Sequence, residues 1–182
     1  MGQLDWEAMS PDDQIELLMD QYGEEIKRLV YTYVKNHSTA EDMTQEIFLT
    51  VYMKLDSYAG KSSIKTWIYS IAINKCKDYL KSWHVRKMIV QENIKEILRP
   101  NRRGADYEMI DQLEREQIVD EVLKLSIPYR EVILLYYYRH LSIKEVSDVL
   151  GISESAVKVR LHRGREKLKR PLELLERGEA DG

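Results

Sequence analysis

The segment from Ser142 to Arg170 limits what this chain can fold into more than any other. It opens with Ser142-Ile143-Lys144-Glu145, a capping box whose hydroxyl and carboxylate can satisfy the first orphan amides of a helix. Ile143, Val146, Val149 and Leu150 give that short helix an apolar face. Gly151 then stands where the chain must turn in a left-handed conformation, and Ser153 can cap a second helix. Within the second helix Val157, Leu161, Gly164 and Leu168 recur at three- and four-residue spacing, so they share one narrow stripe. The pattern predicts a helix-turn-helix. Position 147, usually alanine in such motifs, is a serine, small enough to fit.

The second helix, from Glu154 to about Arg170, carries Ser155, Lys158, Val159, His162, Arg163 and Glu166 opposite its apolar stripe. Arg160 and Arg165 flank the stripe on either side. A recognition helix needs this layout, with central side chains reaching base edges and flanking arginines holding phosphates. Arg163 has the fork to take guanine in a bidentate way, and Glu166 can accept from cytosine. The competing reading is an ordinary basic surface helix.

The net charge of −3 argues against a nucleic-acid partner only until its distribution is considered. Residues 1–60 hold four basic and twelve acidic side chains, a net of −8, and residues 61–104 hold eleven basic and three acidic, a net of +8. Residues 105–138 hold three basic and eight acidic, and residues 139–172 nine basic and four acidic. Two basic blocks alternate with two acidic ones. That suits two DNA-contacting surfaces, each backed by an acidic one, although solvated helices can also simply differ in charge.

With 43% apolar and 32% charged residues in 182, the composition is that of a globular chain of one large domain or two small ones. No apolar run reaches the length of a bilayer span, and the acidic Met1-Gly2-Gln3-Leu4-Asp5 start does not resemble a signal peptide. Cys76, the single cysteine, has no partner for an internal disulfide, so a reducing cytoplasm is the expected location.

The expected fold is all-α: two small helical domains joined by a flexible basic linker, the C-terminal one a helix-turn-helix. Ser10-Pro11-Asp12-Asp13 is a helix start, and that helix should run to about Lys35 and break at Asn36-His37. Ser38-Thr39-Ala40-Glu41 reads as a capping box opening a second helix to about Leu55. A loop from Asp56 to Ser63 precedes a long helix from about Ile64 into the high eighties. Arg99 to Asp106, with Pro100 and Gly104, is the clearest linker; it can also begin near Trp83, with Ile89–Leu98 as an extra helix. Pro128 opens a helix through Tyr138.

Two earlier helices carry chemistry of their own. On the second, Ala40, Thr44, Ile47, Phe48, Val51 and Leu55 form a core side, while Asp42, Gln45, Glu46, Leu49 and Met53 form the other. Leu49 and Met53 among acids suggest a protein-binding face with an apolar centre and a charged rim, or a solvated face with two stray apolar residues. On the long helix, Ile64, Ile68, Ile71, Ala72, Tyr79 and Leu80 lie in a buried arc, and Thr66, Ser70, Asn74, Lys77 and Lys81 form a polar stripe bordered by Trp67. Such a stripe suits single-stranded nucleic acid, where bases are unstacked and lysines track phosphates. Alternatively it faces water, and Trp67, Tyr69 and Trp83 are packing residues.

Three stretches together resemble a known family: Asp42-Met43-Thr44-Gln45-Glu46-Ile47-Phe48, Lys65-Thr66-Trp67-Ile68-Tyr69-Ser70-Ile71-Ala72-Ile73-Asn74, and the terminal motif from Val157 through Arg160 and Arg163 to Arg165. In this order and spacing they are similar to the extracytoplasmic-function (ECF) group of bacterial RNA polymerase sigma factors, over about residues 12–85 and 107–172. The resemblance implies sigma region 2 over 10–84, a linker over 85–106 and sigma region 4 over 107–176. It implies docking of Asp42, Gln45, Glu46 and Leu49 on the coiled coil of the polymerase β′ subunit, with the β flap as a further contact. It implies that the first domain melts the −10 element and captures a flipped base. Ser57, Tyr58, Lys61 and Ser63 of the loop would form the base pocket, beside Thr66, Trp67, Ser70, Asn74, Lys77 and Lys81. Asn74 matches a non-template-strand contact; Asp78 matches a second contact position but is acidic here. Ser155, Lys158, Val159, Arg160, His162, Arg163 and Arg165 would serve the −35 element; His162 sits where the family varies, so promoter preference does not carry over. In the family the linker, here with Arg86, Lys87, Arg99, Arg102 and Arg103, threads near the active-site cleft and RNA exit path. Members are typically held by an anti-sigma factor, often the cytoplasmic domain of a membrane protein.

No catalysis by the chain is expected. His37, His84, His140 and His162 are scattered, without metal-ligand spacing, and neither a nucleophile–base pair nor a phosphate-binding glycine loop is visible, so neither metal nor cofactor is expected. A stand-alone helix-turn-helix regulator of duplex DNA would explain 142–170 but not Asp42–Phe48 or the Trp67/Asn74 stripe. A small helical enzyme would need a catalytic constellation that the sequence does not offer.

Overall fold

A computed structural model describes residues 9–91 and 111–176, with side chains for 9–82 and 118–173. Among these residues every regular element is helical. Contacts divide most of the chain into two compact units that part at Ile89 and Val90.

The first unit begins as its capping signals predict. Ser10 accepts the Asp13 amide, Pro11 occupies the first turn, and α1 runs from Pro11 to Val34. Lys35 ends it in the left-handed region at φ 52°, its amide bonded to the Tyr31 carbonyl. The next residue starts the next helix. Asn36 is extended and its side chain accepts the Thr39 amide at 2.9 Å, so α2 spans His37–Lys54. The capping box expected at Ser38–Glu41 is therefore corrected: Asn36, two residues earlier, already takes the amide, which leaves Ser38 inside the first turn. A 3-10 turn, Leu55–Ser57, and a loop containing Gly60 at φ 66° lead into α3, Ile64–Gln91.

Helix α1 packs along α2, and their buried stripes include Ile26 and Val30 from α1 with Ile47 and Val51 from α2. Met43 joins the core in place of the half-buried Thr44. From α3 come Ile68, Tyr69, Ala72, Ile73 and Cys76, all fully buried. Tyr69 spends its hydroxyl on Glu25 of α1 at 2.6 Å, which satisfies a polar atom carried into the core. Helix α3 continues to Gln91, so the first residues of the stretch 85–106 expected as linker are helical. Residues 92–106, the basic arginines at 99, 102 and 103, the start of the second domain at 107, and the side chains of Trp83, Arg86 and Lys87 lie outside the described residues.

In the second unit α4 spans Asp111–Lys124 and α5 spans Ile127–Ile133, opened by Pro128. The winding continues to Tyr138 as predicted, but it widens. Leu134–Tyr138 is π-helical, and the Arg139 amide reaches back five residues to the Leu134 carbonyl at 3.0 Å. His140 then takes φ 54°, and Leu141 turns into the core. Helix α6, Ile143–Leu150, has both halves of the predicted capping box, from Ser142 and Glu145. Gly151 is left-handed at φ 64°, and α7 runs Glu154–Glu176 with Ser153 accepting the Ala156 amide. Ser147 is more than a tolerated alanine substitute: its hydroxyl donates to the Ile152 carbonyl across the turn at 2.5 Å.

The choice between the two caps of α2 can be tested. Asn36→Ala should cost about 1 kcal/mol of stability, and Ser38→Ala no more than about 0.5 kcal/mol, in urea unfolding followed by circular dichroism.

Candidate nucleic-acid and partner interfaces

Three surfaces come from the reverse sides of these buried stripes. On α2, Asp42, Gln45, Glu46, Leu49 and Met53 all point outward, as predicted. Leu49 is 59% and Met53 74% exposed, high values for large apolar side chains. Glu46 is met by the Lys75 ammonium of α3 at 3.4 Å. The sequence reading missed Tyr52. It lies between Leu49 and Met53, half exposed, and its hydroxyl donates to Asp12 of α1 at 2.8 Å. Its spacing of three from Leu49 was the available signal. The Asp12 carboxylate, through that hydrogen bond first and its charge second, raises the Tyr52 phenol above its usual value.

The second surface is the loop after α2 and the outer side of α3. The loop is braced from within. Ser57 donates to the Lys54 carbonyl at 2.7 Å, and the Tyr58 hydroxyl donates to the Ser62 carbonyl. Ser63 accepts the Thr66 amide at 3.1 Å and so caps α3, while Lys61 points to solvent. Trp67 falls on the side of α3 away from the core, half-buried because its ring lies against Tyr58 with centroids 5.1 Å apart. It is therefore neither a core residue nor a fully open one. Along the same side Asn74 and Lys81 are exposed, and Ser70 and Lys77 half-buried. Ser70 donates to the Trp67 carbonyl at 2.7 Å, and Lys81 reaches Asp78 at 3.2 Å.

Thr66 does not belong with them. Its side chain is 2% exposed and its hydroxyl sits 2.8 Å from that of Ser63. Of the predicted arc, Ile68, Ile71 and Ala72 are buried, and the buried side widens to take in Tyr69, Ile73 and Cys76, which carries Thr66 from the stripe into the packed flank. Ile64, Tyr79 and Leu80, also of that arc, are half-buried.

The third surface is α7. Val157, Leu161, Gly164 and Leu168 are buried as predicted, and Ser155, Lys158, Val159, His162, Arg163, Arg165 and Glu166 are exposed. Arg160 is half-buried at the edge. Gly164 explains how α7 lies so close to α5: a Cβ there would meet Ile133 Cγ1 at 3.0 Å. Val159 keeps 48% of its surface in the middle of a polar face, where an apolar group suits a thymine methyl. Sequence reading also missed Tyr137, from the π-helical turn, whose hydroxyl accepts from Arg165 at 3.3 Å. Nothing in the periodicity of α7 could have found a residue 28 positions away.

Comparison with known proteins gives these surfaces a family. Residues 18–84 match the model for sigma-70 region 2, and residues 115–168 match the model for sigma-70, region 4. The ECF RNA polymerase sigma factor SigW of Bacillus subtilis is 30% identical over 85% of this chain and 87% of its own. RNA polymerase sigma factor YlaC of the same organism is 32% identical over 89% of this chain and 94% of its own. This chain belongs to the ECF group of sigma-70 RNA polymerase sigma factors. Its fold is also that of the sigma factor RpoE from Bartonella quintana, solved with the anti-sigma factor NepR, at a TM-score of 0.70 and 22% identity over 91% of this chain and 99% of that one. CnrH, solved with the cytosolic domain of CnrY, superposes at a TM-score of 0.64 with 23% identity, over 89% of each chain.

The sigma factor is thus a promoter-recognition subunit of RNA polymerase. A stand-alone regulator of duplex DNA is not favoured, since it leaves the match over 18–84 without purpose. Among the described residues no helix is long and apolar enough to cross a membrane.

The close α5–α7 approach generates a stability test. Gly164→Val should destabilise the second unit by about 1–3 kcal/mol through overpacking on Ile133. Gly164→Ala should cost less, because its helix propensity, better by about 1 kcal/mol, offsets the contact. Denaturant unfolding of the two variants checks the order.

Proposed function

We propose that the three surfaces divide the work of promoter opening. Asp42, Gln45, Glu46 and Leu49 of α2 dock on the β′ coiled coil of core polymerase, with Met53 and Tyr52 extending the apolar centre. The β flap takes a further contact on the second unit. Ser57, Tyr58, Lys61 and Ser63, with Trp67, Ser70, Asn74, Lys77 and Lys81, receive the unpaired non-template strand of the −10 element. Thr66 supports the loop rather than touching DNA. Ser155, Lys158, Val159, Arg160, His162, Arg163 and Arg165 hold the −35 duplex. The observation that carries this reading is α7, which leaves Ser155, Lys158, Val159, His162, Arg163 and Arg165 exposed beside a buried stripe, with Arg160 at its edge, in one chain with the exposed α2 face.

The chain supplies binding energy rather than chemistry. Docking recruits it, duplex contacts fix the register, and base capture offsets the few kcal/mol needed to unstack a base. Protein acting this way works in the cytoplasm, with polymerase and promoter. Between uses, an anti-sigma factor covers the exposed apolar face; the complexes of RpoE with NepR and of CnrH with the cytosolic domain of CnrY support a partner of that kind.

Run-off transcription with purified core polymerase is the primary test: adding this protein should give a start-site-specific transcript on its promoters, and none on any candidate promoter sinks the reading. Asn74→Ala should impair strand opening, read by permanganate reactivity, more than closed-complex binding; equal loss in both contradicts its role. Arg163→Ala should weaken −35 binding by about 1–3 kcal/mol and relax preference at one base pair. An unchanged sequence preference in a binding selection argues against base reading there.

A further inference from the structure

The π-helical turn at the end of α5 exposes two tyrosines that the core does not need. Tyr137 is 42% and Tyr138 43% exposed, in a unit where most large apolar groups are covered. Such a turn costs regular helical bonding and recurs where a side chain must be re-aimed. Here the ring of Tyr137 is steadied by the half-buried Tyr136, edge-on at 82° with centroids 5.0 Å apart. Its hydroxyl accepts a hydrogen bond from Arg165 Nη1 at 3.3 Å.

Arg165 lies on the same flank of α7 as Lys158 and His162, seven and three residues before it. We infer that Tyr137 is a positioning residue for DNA binding, holding the Arg165 guanidinium on that flank so that it meets a duplex backbone phosphate already aimed. This rests on the reading of α7 as the DNA-facing helix. A guanidinium has five N–H donors in a rigid fork. The tyrosine occupies one and leaves a pair for the bidentate grip on a phosphate. Between two exposed groups the bond adds little to folding, so its effect is to restrict a long side chain before DNA arrives. On the other flank Lys167 stands over the Tyr129 ring, 5.6 Å from its centroid, so α5 tyrosines engage a cation on each side of the helix.

The test uses holoenzyme reconstituted from core polymerase and each sigma variant, titrated onto a fluorescent promoter duplex across a salt series. Tyr137→Phe keeps the ring and its edge contact and removes only the acceptor. It should raise Kd about fivefold with an unchanged Tm and unchanged affinity for core. Arg165→Ala should weaken binding and make the salt slope shallower by about 1. The double variant should bind no more weakly than Arg165→Ala alone, because the tyrosine acts through the arginine. Wild-type affinity in Tyr137→Phe overturns the inference, as do additive losses in the double variant or a loss of core binding. If Arg165→Ala leaves both affinity and slope unchanged, the underlying reading of that flank fails instead.

Discussion

Burial of a single stripe per helix is the constraint from which the rest of this molecule follows. Neither unit is large enough to wrap a helix on all sides. Helix α2 gives Ala40, Ile47, Phe48 and Val51 to the core and must leave its other half outside. Leu49 and Met53 sit on that outer half at a hydrophobic cost that the isolated chain does not recover. The proposed docking would recover it, with the acids beside them as a charged rim. The same division orients α7: the stripe that anchors it fixes the direction of every polar side chain opposite.

How firmly α7 is anchored depends on one close approach. Gly164 lets the helix settle on Ile133 of α5, and the Gly151 turn, braced by the Ser147 hydroxyl, sets where the helix starts. Side chains that reach DNA from such a base lose less freedom on binding than those on a mobile loop. The braced loop between α2 and α3 follows the same logic by different means, with hydroxyls bonded to nearby carbonyls and Tyr58 laid on Trp67. For the proposed capture of an unpaired strand, such bracing would matter more, because the strand must first leave the duplex.

Under the proposed roles, the α3 and α7 surfaces divide by energetics as well as by place. The α7 face meets an intact duplex and can act through phosphates and base edges from the first encounter. The α3 face gains only once bases leave the stack, so it contributes late and selectively. In the proposed reading, docking through α2 brings the two into the same event, which would tie the exposed apolar patch on α2 to DNA function.

Much of this was legible in the sequence, for a physical reason. A capping box, a left-handed glycine and a three-and-four apolar spacing are local signals, and α6, the turn and the outward face of α7 follow from them without knowledge of any neighbour. Asn36 against Ser38 was a closer contest between two capable local caps, decided by where α1 ends at Lys35. Other features were beyond local signals. Thr66 is buried because the packing of α3 turned Tyr69, Ile73 and Cys76 inward, and a broad apolar arc alone does not say which part faces the core. The widening of α5 and the meeting of Tyr137 with Arg165 join residues from different helices. Sequence by itself determined the helices and the outward face of α7, because helical period and capping are local. Only the tertiary structure decided how far the buried side of α3 extends and what holds Arg165, because those depend on the surfaces each helix meets.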